Sequence, residues 1–292
     1  MIIFHLSLWS KEKIVSATLH RVICANKDSV YVVQKLIMRI VIIGSGNVAT
    51  ILGKKMVFAG HKIVQVVSRH EQHAAFLARQ LNCDHWANLP AINMDADFYM
   101  IAVTDEALIS ISRSLALGNK IVVHTAGSVM KNILLPVSPN FGVLYPLQTL
   151  RKEISGALNI PLLIDASSSD VLKVIADIAG GISNQVYKAD DELRRKLHLA
   201  ATMINNFSNH LYVLTEDYCR QQNVDFRLLI PLIEETANRV KSFPPADLQT
   251  GPAKRHDTQT ITNHLHALAG FPELKKIYEL FTAGIQHKIK ET

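Results

Sequence analysis

Cysteine is scarce in this chain. Only Cys24, Cys83 and Cys219 occur in 292 residues, and so few, widely scattered and odd in number, they frame neither a disulfide-held fold nor a zinc site. Long apolar runs are missing too. No stretch approaches the ~20 residues that span a bilayer, so no membrane partner is expected. Met1 to Leu8 is apolar but is interrupted by His5 and lacks both a basic leader and a small-residue cleavage site, which argues against a secretory signal. A large charge excess is also lacking. Lys and Arg exceed Asp and Glu by 31 to 25, and the first 37 residues hold five basic residues against two acidic ones, so half of that excess sits in the N-terminal arm. Such a balance gives little reason to expect nucleic acid. No metal is expected either, because His264 and His266, two apart on a helix, point to different faces. The remaining class is a cytoplasmic enzyme with reduced thiols.

Glycine carries the clearest signal. Residues 39 to 49 read Arg-Ile-Val-Ile-Ile-Gly44-Ser45-Gly46-Asn47-Val48-Ala49, a short apolar strand that turns into a helix-like pattern running to Phe58. Gly44 suits the tight turn, Gly46 lets backbone approach a pyrophosphate, and Ala49 is small enough where helix meets strand. The amides that follow form a helix N-terminus, which favours an anion. Gly53-Lys54-Lys55, by contrast, has neither the glycine spacing nor the Ser or Thr of a nucleoside-triphosphate loop.

A second absence sets the cofactor. His61 to Arg69 predicts a second strand, at whose end an NAD enzyme places a carboxylate on the ribose 2′-hydroxyl. Here the residues are Ser68 and Arg69, with no carboxylate before Glu71. We therefore expect NADP, with Arg69 at the 2′-phosphate. The alternative for Arg69 is a strand end in solvent. The same residues disfavour a methyltransferase, whose cofactor ribose is usually held by an acidic side chain.

From Gly44 onward strand and helix alternate, as a parallel sheet demands. Phe98 to Asp105, Lys120 to Ser128 and Phe141 to Thr149 read as strands that deliver polar residues to one edge, Val103 and Thr104 among them. A helix is expected over 71–80, a loop over 82–88, and further strands over 159–166 and 181–187. From Asp190 the chain reads as helices broken by a loop from Phe243 to Asp257, with Asp257 capping a helix that starts at Thr258. The expected fold class is α/β: a Rossmann-type doubly wound sheet followed by an all-helical C-terminal domain. Expected boundaries are an arm over 1–37, a nucleotide-binding domain over 38–188 and a helical domain over 189–292. Met38 stands at the first strand and is the expected natural start.

The first C-terminal helix carries an apolar stripe through Leu193, Leu197, Ala200, Ile204, Phe207, Leu211, Leu214 and Tyr218. Opposite it lie His198, Thr202, Asn205, Asn206 and Asn209, with no Lys or Glu between His198 and Asn209. An uncharged polar face of this kind is expected to line a substrate or nicotinamide cleft between the domains, a homodimer contact being the alternative.

The segments GSGNVA, Val-Val-Ser-Arg, His-Thr-Ala-Gly-Ser, Leu-Tyr-Pro-Leu-Gln-Thr, Leu-His-Leu-Ala-Ala, Asn-His-Leu-Tyr and Gln249 to Asp257 occur in this order. Together they resemble the Rossmann-like NADP oxidoreductases that carry a helical C-terminal domain of unknown function. The likeness runs from about residue 38 to the end. More distantly, the N-terminal half is similar to deazaflavin-dependent NADP oxidoreductases and pyrroline-5-carboxylate reductase. The resemblance implies NADP binding and leaves the substrate undefined. One departure stands out: hydroxyacid dehydrogenases and ketopantoate reductases of the wider superfamily place a lysine general acid near the start of this helix, where His198 faces the expected cleft. Lys196 is about 200° away around the helix and cannot serve the same site.

The expected catalytic residues are His198, Tyr145 and Asn206, with His198 as proton donor because its ordinary pKa lies near neutrality. The alternative for His198 is a hydrogen bond across the domain seam. Gln148, Thr202, Asn209 and Arg255 are the expected substrate contacts, and Arg255 could grip a carboxylate or phosphate in a two-pronged contact. These expectations describe hydride transfer to or from a small polar substrate. The rival is an NADP(H)-binding sensor without catalysis.

Overall fold

The computed structural model describes residues 18–26, 29–153 and 159–289. They fall into two compact units divided between Ala201 and Thr202. In the arm, β1 (Thr18–Asn26) and β2 (Ser29–Ile37) pair as an antiparallel hairpin that forms a two-stranded sheet of its own. Met1 to Leu8, on which the signal-peptide argument turned, lies outside the described residues.

The first unit is built on eight strands. They are β3 (Arg39–Ile43), β4 (Lys62–Val67), β5 (Asp84–Trp86), β6 (Phe98–Ile101), β7 (Ile121–His124), β8 (Phe141–Pro146), β9 (Leu162–Ala166) and β10 (Val186–Lys188), in the spatial order β5-β4-β3-β6-β7-β8-β9-β10. Every pairing is parallel except β8 with β9. Helices α1 (Asn47–Phe58), α2 (Glu71–Leu81), α3 (Asp105–Ser114) and α4 (Ser169–Ile182) join the strands.

Side-chain alternation explains why both faces are covered. Ile40 and Ile42 of β3 join Phe98 and Met100 of β6 in one core, with Leu52 of α1, Leu77 of α2 and Ile175 of α4. Val41 and Ile43 join Tyr99, Ile101 and Leu108 of α3 in the other. Strands buried on both faces read as unbroken apolar runs, and each fully buried Ile or Leu side chain contributes about 1.5–3 kcal/mol. The chain reverses its winding between β3 and β6, so the loops leaving these neighbours diverge and open a crevice at the carboxyl edge.

Three expectations need correction. The loop over 82–88 contains β5, a three-residue edge strand with all its side chains exposed, so it had no burial period to read. The strand expected from Gly181 begins only at Val186, because α4 runs on to Ile182 with Val171, Ile175, Ile178 and Ile182 turned inward. The long C-terminal helix is not uniform: α5 (Asp191–Ala201) is followed by a π-helical stretch over Thr202–Phe207 and then α6 (Ser208–Gln221). The wider π turn falls where Asn205 and Asn206 are weak helix formers.

The second unit continues through α7 (Ile230–Arg239), α8 (Thr258–Ala267) and α9 (Pro272–Ile289). Asp257 caps α8, accepting from the Thr260 amide at 3.0 Å. His264 Nδ1 lies 2.9 Å from Tyr278 Oη, and no metal-binding cluster occurs among the described residues. Burial, with the nearby Asp84 carboxylate, pushes the Cys83 thiol up to about 11, and Cys83 and Cys219 are both free. No helix among the described residues is long and apolar enough to cross a membrane.

Candidate active site

The turns after β3, β4, β6 and β7 enclose a cleft of about 720 Å³ at the switch point. Gly44, Ser45, Gly46, Asn47, Val48, Ser68, Arg69, Val103 and Thr104, all expected at a cofactor, line it together. Gly44 has φ +122°, and a Cβ there would sit 2.0 Å from the Ala102 carbonyl oxygen, so no other residue fits. At Gly46 an added Cβ meets nothing within 4 Å, which leaves the backbone open. No side chain caps α1, and its first turn holds no acidic residue. An uncapped helix start with an open glycine fits a pyrophosphate.

At the next strand end, Ser45 Oγ and Ser68 Oγ are 2.7 Å apart and link the turns after β3 and β4. Arg69 and His70 are exposed beside them at the cleft. The one carboxylate among the described lining residues is Asp105, which accepts a hydrogen bond from Ser128. The end of β4 therefore offers a cation and hydroxyls, as an anionic group on a ribose requires. The cleft also includes residues that sequence reasoning did not select: Ala87 to Leu89, Thr125 to Gly127, and Leu150. Just beyond the first group, buried Gln65 donates to the Ala91 carbonyl at 2.9 Å and accepts from the Asn93 amide at 2.8 Å. The glycine turn after β7 was a visible signal for the second group; Leu150 offered none.

Tyr145 and His198 meet at the Gly127 end of the cleft. Tyr145, near the end of β8, places Oη 2.9 Å from Nδ1 of His198 on α5, with the rings edge to face at 5.8 Å. A Cβ on Gly127 would lie 2.6 Å from His198 Nδ1 and 3.0 Å from Tyr145 Cζ, so the pair closes over this glycine. Both side chains are half-buried. Burial raises the Tyr145 phenol above its ordinary pKa, with the positive charge of Arg194 acting in the opposite sense. The phenol is thus protonated at neutral pH.

Beneath the pair lies a buried polar cluster. The Arg194 side chain is 0% exposed; it donates to the Val129 carbonyl and lies 2.7 Å from Asp191 Oδ1. Asp191 Oδ1 also accepts from the Lys131 amide at 3.0 Å, and Lys131 Nζ pairs with Asp165 at 2.6 Å. Backbone and guanidinium bonds hold the Asp191 carboxyl below its usual range against the effect of burial. His124, also wholly buried, accepts from the Ala126 amide at 3.1 Å. Burial, followed by the nearby Arg194 charge, drives its pKa down to about 3, so it is a neutral structural group.

Gln148 is exposed, and its Oε1 accepts from the Thr149 amide at 3.0 Å. Thr202 and Asn206 lie on the π-helical stretch and Asn209 on α6, with Thr202 half-buried and both asparagines exposed. Arg255 is exposed in the loop before α8.

Residues 39–127 match the family described as NADP oxidoreductase, coenzyme F420-dependent, and residues 160–285 match the domain of unknown function DUF2520. No curated protein matches the chain. Among solved structures, a "putative NADP oxidoreductase" from Bacteroides fragilis is 38% identical, covering 86% of this chain and 98% of that one with a TM-score of 0.81. A reductive aminase from Aspergillus terreus, in complex with NADPH and ethyl-5-oxohexanoate, is 14% identical, covering 87% of this chain and 94% of that one with a TM-score of 0.62. A 1-pyrroline-5-carboxylate reductase from Streptococcus pyogenes is 11% identical, covering 86% of this chain and 98% of that one with a TM-score of 0.56. The latter two likenesses concern the fold alone.

The state of His124 makes stability depend on pH. Its folded pKa lies below the unfolded value, so its contribution is complete above about 6.5 and declines as pH falls toward 3. Denaturant titrations at pH 7 and pH 5 should show His124→Gln losing about 2 kcal/mol less than the unsubstituted protein over that interval. Equal losses would mean that His124 already binds a proton in the folded state.

Proposed function

The chain belongs to the NADP oxidoreductases that join a nucleotide-binding domain to a helical region of unknown function, and from this premise we propose that it reduces a small polar ketone or imine at the Tyr145–His198 pair. The observation that carries this reading is the 2.9 Å contact between Tyr145 Oη and His198 Nδ1, closed over Gly127 at one end of the cleft. NADPH, when bound, supplies the hydride. The chain supplies the fit: Gly44, Gly46 and the α1 N-terminus for the pyrophosphate, Ser45, Ser68 and Arg69 for the 2′-phosphate, and Val103 and Thr104 beside the nicotinamide ribose.

Reduction of a carbonyl or imine also needs a proton at the heteroatom. In our reading His198 is the donor, and the neutral Tyr145 phenol, hydrogen-bonded to Nδ1, steadies the imidazole and relays the proton. The reverse reaction would run the same path with His198 as acceptor. Asn206 is proposed as the third catalytic residue, and Gln148, Thr202, Asn209 and Arg255 as polar contacts of the substrate. The absence of the superfamily lysine is thus met by a histidine with a tyrosine partner.

The helical unit favours a homodimer. Its buried apolar residues, among those described, are Cys219, Ala253 and Leu268 alone, whereas Ile204 is 78% exposed, Leu228 73% and Leu280 68%. Apolar surface on this scale calls for a partner, and a second copy is the commonest solution.

Three measurements follow. Titration with NADPH and NADH, read by nicotinamide fluorescence and thermal stabilisation, should show preference for NADPH, and Arg69→Asp should shift it toward NADH; an unchanged preference would remove Arg69 from the 2′-phosphate. His198→Ala should lower turnover of a responsive ketone or imine by about 100-fold or more while leaving NADPH affinity nearly intact, whereas equal losses in both would count against its role as donor. Light scattering on the eluted protein should give twice the chain mass, and a monomer at micromolar concentration would refute the dimer.

A further inference from the structure

Building on the reading of Tyr145 and His198 as the proton-handling pair, we propose that Arg194 is its positioning residue: the buried guanidinium staples α5 to the segment after β7 and so sets where His198 meets Tyr145. Arg194 and His198 are one helical turn apart and share a face of α5. Fixing the first therefore fixes the approach of the second.

The staple has two attachments. Arg194 donates to the Val129 carbonyl, and Asp191, one turn earlier and 2.7 Å from the guanidinium, accepts from the Lys131 amide at 3.0 Å. Lys131 in turn pairs with Asp165 of β9 at 2.6 Å, which roots the assembly in the sheet. Val129 and Lys131 directly follow the turn through Thr125, Ala126 and Gly127 that lines the cleft. The segment that carries Gly127 and the helix that carries His198 are thereby held as one piece. The Gly127 contacts leave no slack for them to slide, since even a methyl group there would stand 2.6 Å from the imidazole.

Stability alone is a poor reason for an arginine at this place. Its Nε and Nη1 have no hydrogen-bond partner among the described residues, and a buried cation satisfied on one nitrogen is costlier than an apolar side chain of similar length. What a methionine could not reproduce is the two-way bond from helix to loop and the positive charge beside Tyr145. That charge opposes the effect of burial on the phenol and reinforces the neutrality of His124.

The test uses the free full-length protein labelled with ¹⁵N-histidine, so that it needs no substrate. The ring nitrogens of His198, assigned by their loss in His198→Gln, report the hydrogen bond at Nδ1, and Tyr145→Phe gives the signature of the uncoupled ring. Arg194→Met should move the His198 signals to the Tyr145→Phe positions while NADPH affinity stays within about threefold. Arg194→Lys, which keeps charge but not the planar fork, should give an intermediate shift, and carries the same test if the methionine variant does not fold. His198 signals unchanged in the folded variant overturn the proposal, as does a loss of NADPH binding equal to the loss of pairing, which would mark a general collapse. Failure of the reaction itself would show instead as unaltered turnover in His198→Ala, with these spectra unaffected.

Discussion

The close approach of β3 to β6 is the constraint on which the site depends. Both strands run parallel at the centre of the sheet, with Ile43 opposite Ile101. Just past that pair, the backbone of Gly44 must clear the Ala102 carbonyl, and any Cβ at position 44 would overlap it. The turn into α1 is therefore forced through a left-handed conformation that only glycine adopts easily. It directs the helix start toward the crevice between diverging loops. The Ser45–Ser68 link and the open backbone at Gly46 both follow from that turn.

The two ends of the cleft differ in their electrostatics. The end near β4 is open, with hydroxyls, an exposed arginine and a histidine around the uncapped start of α1. Such a surface is matched to phosphate charge and exchanges readily with solvent. The end near Gly127 is half-buried, and its charges lie one layer deeper, in Arg194, Asp191, Lys131 and Asp165. There the polar groups hold one another rather than a ligand, leaving a neutral phenol and an imidazole closed over Gly127.

The helical unit obeys another logic. Among the described residues it buries few apolar side chains, and the exposed ones are spread over several helices.

The nucleotide-binding half was legible in the sequence because its determinants are local. Strand alternation, the Gly44-Ser45-Gly46 turn and the missing carboxylate after β4 each lie within a few residues of the feature they specify, and all nine expected cleft residues came together. Local pattern failed where burial supplies no period, as in β5, and where a helix widens without changing its composition, as at Thr202 to Phe207. Tyr145 and His198 could be chosen separately as candidates, but their contact spans 53 positions. The buried staple of Arg194 was invisible for the same reason: an arginine among Leu193, Arg195 and Lys196 reads as a solvated charge. The sequence by itself determined the fold class and the nature of the cofactor, through short-range periodicity and turn chemistry. Only the tertiary structure decided which polar groups meet, because that depends on how strands and helices distant in the chain are packed.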